Sequence, residues 1–222
     1  MGREFRMNLY DLMYECLNTA YTQVGKNASY AVKRGGPCLY IFFEHSRGRD
    51  DWLKNLNFPA RPYRFATSER WYAHRGFLSA WHELEDTVSA YIRDTSVKRI
   101  VIVGYSHGAA IALLCHEYVW FNRPDLRDTL ESFGFGAPRV IWGQCCKGVA
   151  ERFENFTVVR NIDDIVTHLP PAFLGYRHMG KLVTVGEWGK YSGIDAHRPE
   201  NILAELCKYE SARHLGFPCR KT

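Results

Sequence analysis

Gly104-Tyr105-Ser106-His107-Gly108 is the segment of this chain best suited to do chemistry. Four apolar, mostly β-branched residues, Ile100–Val103, lead into it and read as a buried strand. Ala109, Ala110, Ile111, Ala112, Leu113 and Leu114 follow, small first and then apolar as a buried helix requires. A G-x-S-x-G pentapeptide between a strand and a helix is the setting of a nucleophile elbow, a sharp turn that presents a serine hydroxyl. Gly104 and Gly108 suit such a turn because strand and helix approach too closely for side chains. The N–H of His107, opening the helix, would face an oxyanion formed by attack of Ser106 on a carbonyl.

A serine hydroxyl is a weak nucleophile until a base takes its proton and an acid orients that base. When the serine sits on such an elbow, the chain order is serine, then Asp or Glu, then histidine. Downstream of Ser106, the run Val158–Val166 carries two adjacent carboxylates, Asp163 and Asp164. His168, His178, His197 and His214 all qualify as the base by order. Ile194-Asp195-Ala196-His197-Arg198-Pro199-Glu200 is a polar loop running into a helix that starts near Pro199, which favours His197 and leaves the others open.

These groups need elements to hold them. Leu9, Leu12, Met13, Cys16, Leu17, Ala20, Tyr21 and Val24 recur at helical spacing, with Asn8 placed to cap and Gly25 to end the helix. Ser29–Arg34 and Cys38–Glu44 read as strands joined at Gly35-Gly36-Pro37. Arg47–Leu56 is a short charged helix candidate, and Asn57–Tyr72, with Pro59 and Pro62, reads as irregular. Phe77, Trp81, Leu84, Val88, Tyr91 and Ile92 form a second helical stripe. Leu130–Phe135, Phe156–Arg160 and Leu182–Val185 read as further strands, and Glu200–Tyr209 as a last helix. Strands alternating with helices predict an α/β fold with a mostly parallel central sheet flanked by helices. Catalytic groups in such sheets gather beyond the carboxyl ends of the strands.

The chain has 222 residues, room for a single domain spanning 1–222 with a sizeable core. Its net charge is +5, but Lys and Arg are interspersed with Asp and Glu, so the charge reads as a solvated surface and not a nucleic-acid footprint. No apolar run is long enough for a membrane span. Met1–Arg6 shows no secretory pattern, and Arg6 stands where myristoylation wants Ser or Thr. Seven cysteines without a C-x-x-C fit reduced thiols and a cytoplasmic location. Cys115-His116-Glu117 and Cys145-Cys146 lack metal-ligand spacing, so no metal and no cofactor is expected.

Seven segments in order carry a resemblance. They are Ile41–Ser46, Asp51–Leu56, His74-Arg75-Gly76-Phe77, Phe133–Val140, Asn161–Pro171, Tyr176–Gly180 and Asp195–Asn201. Together with the elbow they resemble the class 3 lipase family of α/β-hydrolases, over residues 38 to 206. The resemblance implies Ser106 as nucleophile, Asp164 as orienting acid, because it stands directly before Ile165-Val166, and His197 as base. It implies an oxyanion hole from His107 and Ser46. His45 stands where the family usually has glycine, and Ala196 interrupts the family's Asp-His pair. The family's tyrosine after that pair is Ile202 here. Arg47–Leu56 corresponds to the family's lid.

The expected activity is that of a serine ester hydrolase acting on short- to medium-chain acyl esters or acylglycerols. One rival is a catalytically silent lipase-like domain that binds an acylated ligand or a protein partner. A second is a peptidase or acyltransferase on the same scaffold. His178 and His74 are expected to hydrogen-bond or pack, His168 to shape the loop of Asp164, and the His107 imidazole to pack behind the elbow.

Overall fold

The computed structural model describes residues 7–26, 28–44, 59–63, 71–143 and 147–213. A seven-stranded sheet runs in the order β1-β2-β3-β6-β7-β9-β11. Its strands are β1 (Thr22–Val24), β2 (Ala28–Gly35), β3 (Cys38–Phe43), β6 (Arg99–Tyr105), β7 (Leu130–Phe135), β9 (Phe156–Asn161) and β11 (Lys181–Val185). β1, β2 and β3 pair antiparallel, while β3, β6, β7, β9 and β11 pair parallel. This is the mostly parallel α/β sheet that the alternation of elements predicts.

Two helices cover each face. α2 (Arg75–Ile92) and α3 (His107–Asn122) pack on Ile41, Phe43, Ile100 and Ile102. α1 (Leu9–Asn18) and α5 (Pro199–Arg213) pack on Phe42, Val101, Val103 and Tyr105. Successive strand residues point to opposite faces, so the unbroken apolar runs of β3 and β6 divide between the two cores. α3 is buried along His107–Val119. Its charged Glu117 survives there because Arg152 Nη1 (2.9 Å) and Trp71 Nε1 (3.2 Å) both donate to Oε1. A short helix, α4, spans Lys147–Glu151.

Several expectations are corrected. The first helix is capped by Asn8, whose Oδ1 accepts from Asp11 N at 2.8 Å, but it stops at Asn18 and does not run on to Val24. Thr22–Val24 pairs instead with Ala28–Tyr30 around Gly25 at φ 64, a conformation natural to glycine. Asn57–Tyr72 is not wholly irregular. β4 (Ala60–Tyr63) and β5 (Trp71–His74) join β8 (Ile141–Trp142) and β10 (Tyr176–Arg177) in a second, antiparallel sheet of order β10-β8-β5-β4. Pro62 is tolerated because β4 is an edge strand. Cys16 and Cys115 are buried free thiols, but Cys207 is disulfide-bonded, against the expectation of reduced thiols. Pairing depends on which sulfurs meet in space, which spacing along the chain does not reveal. Among the described residues no helix is long and apolar enough to cross a membrane. The helix expected at Arg47–Leu56 lies outside the described residues.

Candidate active site

β6 ends at Tyr105 and α3 begins at His107, so Ser106 makes the whole turn alone, at φ 56 and ψ −119. It is the one non-glycine with positive φ among the described residues, a strain that persists only where surroundings over-determine it. Those surroundings are visible. Ser106 N donates to Phe135 O at 2.8 Å, and Ala109 N donates to Ser106 O at 3.0 Å. A methyl on Gly104 would run into the Gly108 carbonyl, and one on Gly108 into that of Phe43. The two glycines are there because strand and helix touch backbone to backbone.

Asp164 lies just beyond the carboxyl end of β9. Its backbone N–H donates to Asn161 O at 3.1 Å, and its Oδ1 accepts from Val166 N at 2.9 Å, capping a short 3-10 turn. That leaves Oδ2 to accept from His197 Nδ1 at 2.8 Å. His197 closes another 3-10 turn, Asp195–His197, directly before α5. Its Nε2 lies 2.8 Å from Ser106 Oγ. With Nδ1 donating to a carboxylate, Nε2 of the neutral ring is the acceptor and Ser106 Oγ–H the donor. Asp164 is wholly buried and Ser106 nearly so. Gly136, at φ +55, makes room: a methyl there would stand 2.8 Å from His197 Cε1.

The structure thus brings together Ser106, Asp164 and His197, and turns Asp163, His168 and His178 to other partners. Asp163 turns away, accepting from Gly189 N at 2.9 Å and Tyr191 N at 3.1 Å, and these amides hold its carboxyl below the usual range. His178 Nε2 donates to Thr167 O at 2.8 Å, while Thr167 Oγ1 donates to Asp164 O at 2.8 Å, so His178 braces the loop of Asp164. Burial lowers its pKa to about 4. His168 contributes its carbonyl to Arg139, which also donates to Pro170 O at 3.0 Å. His74 caps α2, accepting from Gly76 N at 3.2 Å.

The His107 ring packs 5.5 Å from that of Phe77, and burial, with His74 nearby, takes its pKa to about 4. Its backbone N–H belongs to the first turn of α3, where amides have no partner within the helix and the dipole favours negative charge. Ser46 and His45 lie outside the described residues, as does His214. Among the described residues no group of His, Cys, Asp or Glu is arranged to hold a metal. The bracing roles of Gly136, Arg139 and Asp163 had no local signal, because each depends on a segment distant in the chain.

A model of the family "Lipase (class 3)" matches residues 40–174, which hold Ser106 and Asp164, with His197 lying beyond. The chain is 28% identical over 160 residues to the lipase of Rhizomucor miehei, covering 70% of this chain and 44% of that one. It is 26% identical to secreted mono- and diacylglycerol lipase 1 of Fusarium solani, covering 71% and 46%. It therefore spans less than half the length of these two relatives. A solved triacylglycerol lipase, described as having a serine protease triad at its catalytic centre, superposes with TM-score 0.63 at 25% identity, over 75% of this chain and 66% of that one. The lipase of Rhizopus microsporus var. chinensis shares the fold, with TM-score 0.63 at 20% identity, over 81% and 68%. Elbow, sheet and family match agree: this chain belongs to the class 3 lipase family, with an α/β-hydrolase fold.

Proposed function

We propose that this chain is a serine ester hydrolase that cleaves short- to medium-chain acyl esters or acylglycerols through an acyl-enzyme on Ser106. The observation that carries the reading is the continuous relay of Ser106 Oγ, His197 Nε2, His197 Nδ1 and Asp164 Oδ2, with 2.8 Å at each hydrogen bond. His197 takes the hydroxyl proton as Ser106 Oγ attacks the acyl carbon. The ester carbonyl becomes an oxyanion that accepts from the His107 N–H and from Ser46. The intermediate collapses, the C–O bond to the alcohol breaks, and the alcohol takes the proton from His197. Water then repeats the cycle against the acyl-enzyme and releases the acid. Asp164 stays ionised, orienting the imidazole and stabilising its protonated form. The chemistry requires no cofactor.

The names of the relatives, lipases and mono- and diacylglycerol lipases, support lipid esters as the substrate class. A secreted relative and the disulfide at Cys207 favour an oxidising compartment over the cytoplasm. Residues 1–222 are taken as a single catalytic unit. An engaged serine–histidine contact speaks against a silent binding domain. The test is labelling with a fluorophosphonate, followed by mass spectrometry, and hydrolysis of p-nitrophenyl esters of rising chain length. One adduct on Ser106, with activity lost in Ser106→Ala by about 10⁴-fold or more, is expected. An adduct elsewhere, or an active alanine variant, overturns the assignment.

A further inference from the structure

The residue before the nucleophile makes two contacts with the base. The Tyr105 hydroxyl donates to the backbone carbonyl of His197 at 2.6 Å. Its ring stacks on the His197 imidazole, with centroids 5.3 Å apart and planes 26° from parallel. The edges of that imidazole are already engaged, Nδ1 by Asp164 and Nε2 by Ser106. A face is what remains to be supported, and Tyr105 supports one.

Tyr105 is well placed to be rigid. It is the last residue of β6, the strand that delivers Ser106, and is 3% exposed. Its side chain lies in the same core as Phe42, Phe135, Ile202 and Leu206. His197 lies on no long helix or strand. It follows a connection from Val185 to Pro199 whose regular structure is the single turn Asp195–His197. A buried phenol needs a hydrogen-bond partner. Here the partner is the main chain of the residue whose ring must stay within reach of Ser106 Oγ.

We propose that Tyr105 is a positioning residue for His197. Its hydroxyl pins the His197 backbone, and its ring holds the imidazole plane and favours the cation that His197 becomes while it carries the serine proton. A positive charge over a tyrosine face is favoured within about 6 Å of the centroid. One strand end therefore holds both nucleophile and base, the first through the chain and the second through the Tyr105 side chain. This inference rests on the serine hydrolase reading above.

The test compares Tyr105→Phe and Tyr105→Leu with the unaltered chain on a soluble p-nitrophenyl ester. Tyr105→Phe removes the hydrogen bond and keeps the ring. It is expected to lower kcat about three- to tenfold, leaving KM within about twofold. Tyr105→Leu removes both and is expected to lower kcat at least about thirtyfold, so that phenylalanine rescues part of the loss. Because Tyr105 acts through His197, neither change should lower further the residual rate of His197→Ala. Melting temperatures separate these effects from misfolding. Should Tyr105→Leu fail to fold, the Phe variant alone decides. Full kcat in Tyr105→Phe, a loss expressed only in KM, or an equal loss in the His197→Ala background overturns the proposal. An unaltered chain inert to both ester and fluorophosphonate overturns the hydrolase reading, and this inference with it.

Discussion

The α-carbon of Gly108, in the first turn of α3, lies against the main-chain carbonyl of Phe43, the last residue of β3. A methyl on Gly108 would stand far inside the 3.0 Å that real Cβ atoms keep, and it would also strike Glu44 O. The elbow is therefore wedged between two strands, β3 and β6, with no side chain to yield. Gly108→Ala is expected to destabilise the chain by about 3 kcal/mol or more and to abolish activity, since backbone must shift to admit the methyl. Gly35→Ala, whose added methyl meets only the Tyr40 ring edge at an ordinary 3.6 Å, should leave both nearly unchanged. Thermal melts of the two variants check this.

The adjacent carboxylates Asp163 and Asp164 should separate cleanly. Asp164→Asn disturbs the group that accepts from His197 Nδ1, and kcat should fall by about 10⁴-fold with the fold intact. Asp163→Asn loosens the Gly189–Tyr191 loop and should cost less than about tenfold in kcat while lowering the melting temperature. Steady-state kinetics and melts of both variants decide it. Comparable losses in kcat would mean that the loop, and not the relay, limits the reaction.

Acid should destabilise this chain at pH values where carboxylates are still ionised. His107 and His116 are both deeply buried, and burial is the main cause that lowers each to about 4. His116 accepts from Ser132 Oγ at 2.7 Å and donates to Arg152 O at 2.8 Å, an arrangement that suits the neutral ring. A histidine with folded pKa near 4 and unfolded pKa near 6.5 adds no pH dependence above 6.5. Between 6.5 and 4 the unfolded chain binds a proton that the folded chain refuses, so stability falls with pH by up to about 1.4 kcal/mol per unit for each such group. Denaturant melts at pH 7, 6 and 5 measure the slope. Replacing His116 with Gln should reduce it; an unchanged slope would assign the loss to other groups.

The resemblance implies that Arg47-Gly48-Arg49-Asp50-Asp51-Trp52-Leu53-Lys54-Asn55-Leu56, which lies outside the described residues, serves as the lid, and its composition carries a prediction about substrate preference. In the sequence its apolar residues are Trp52, Leu53 and Leu56, too few for a face that anchors in oil. Hydrolysis of tributyrin should therefore rise smoothly through the solubility limit, and long-chain triacylglycerol should be a poor substrate. A sharp jump in rate once emulsion forms would refute this.

What was legible in the sequence was what is encoded locally. Ile100–Val103, the two glycines around Ser106 and the apolar run from Ala109 each state their own conformation, so the strand, turn and helix of the elbow follow from neighbouring residues. The hairpin of β2 and β3 and the stripe of α2 are local in the same sense. The end of α1 was not, because Thr22–Val24 is drawn into a sheet edge by β2, which periodicity within the segment cannot express. Nor was the second sheet, whose short strands come from four separate stretches between Ala60 and Arg177. Order along the chain left several histidines eligible. His197 is 91 residues from Ser106 and meets it only because β6, β7 and β9 lie side by side and parallel. That register brings the carboxyl ends of the strands together. Asp164, one residue from a chemically identical neighbour, faces His197 because its Oδ1 is committed to capping the turn after β9, whereas Asp163 faces the Gly189–Tyr191 loop. Residue types and local turns are properties of neighbouring residues and can be read along the chain. Which of them touch is a matter of the assembled fold, since a contact between distant residues depends on the packing of everything between them.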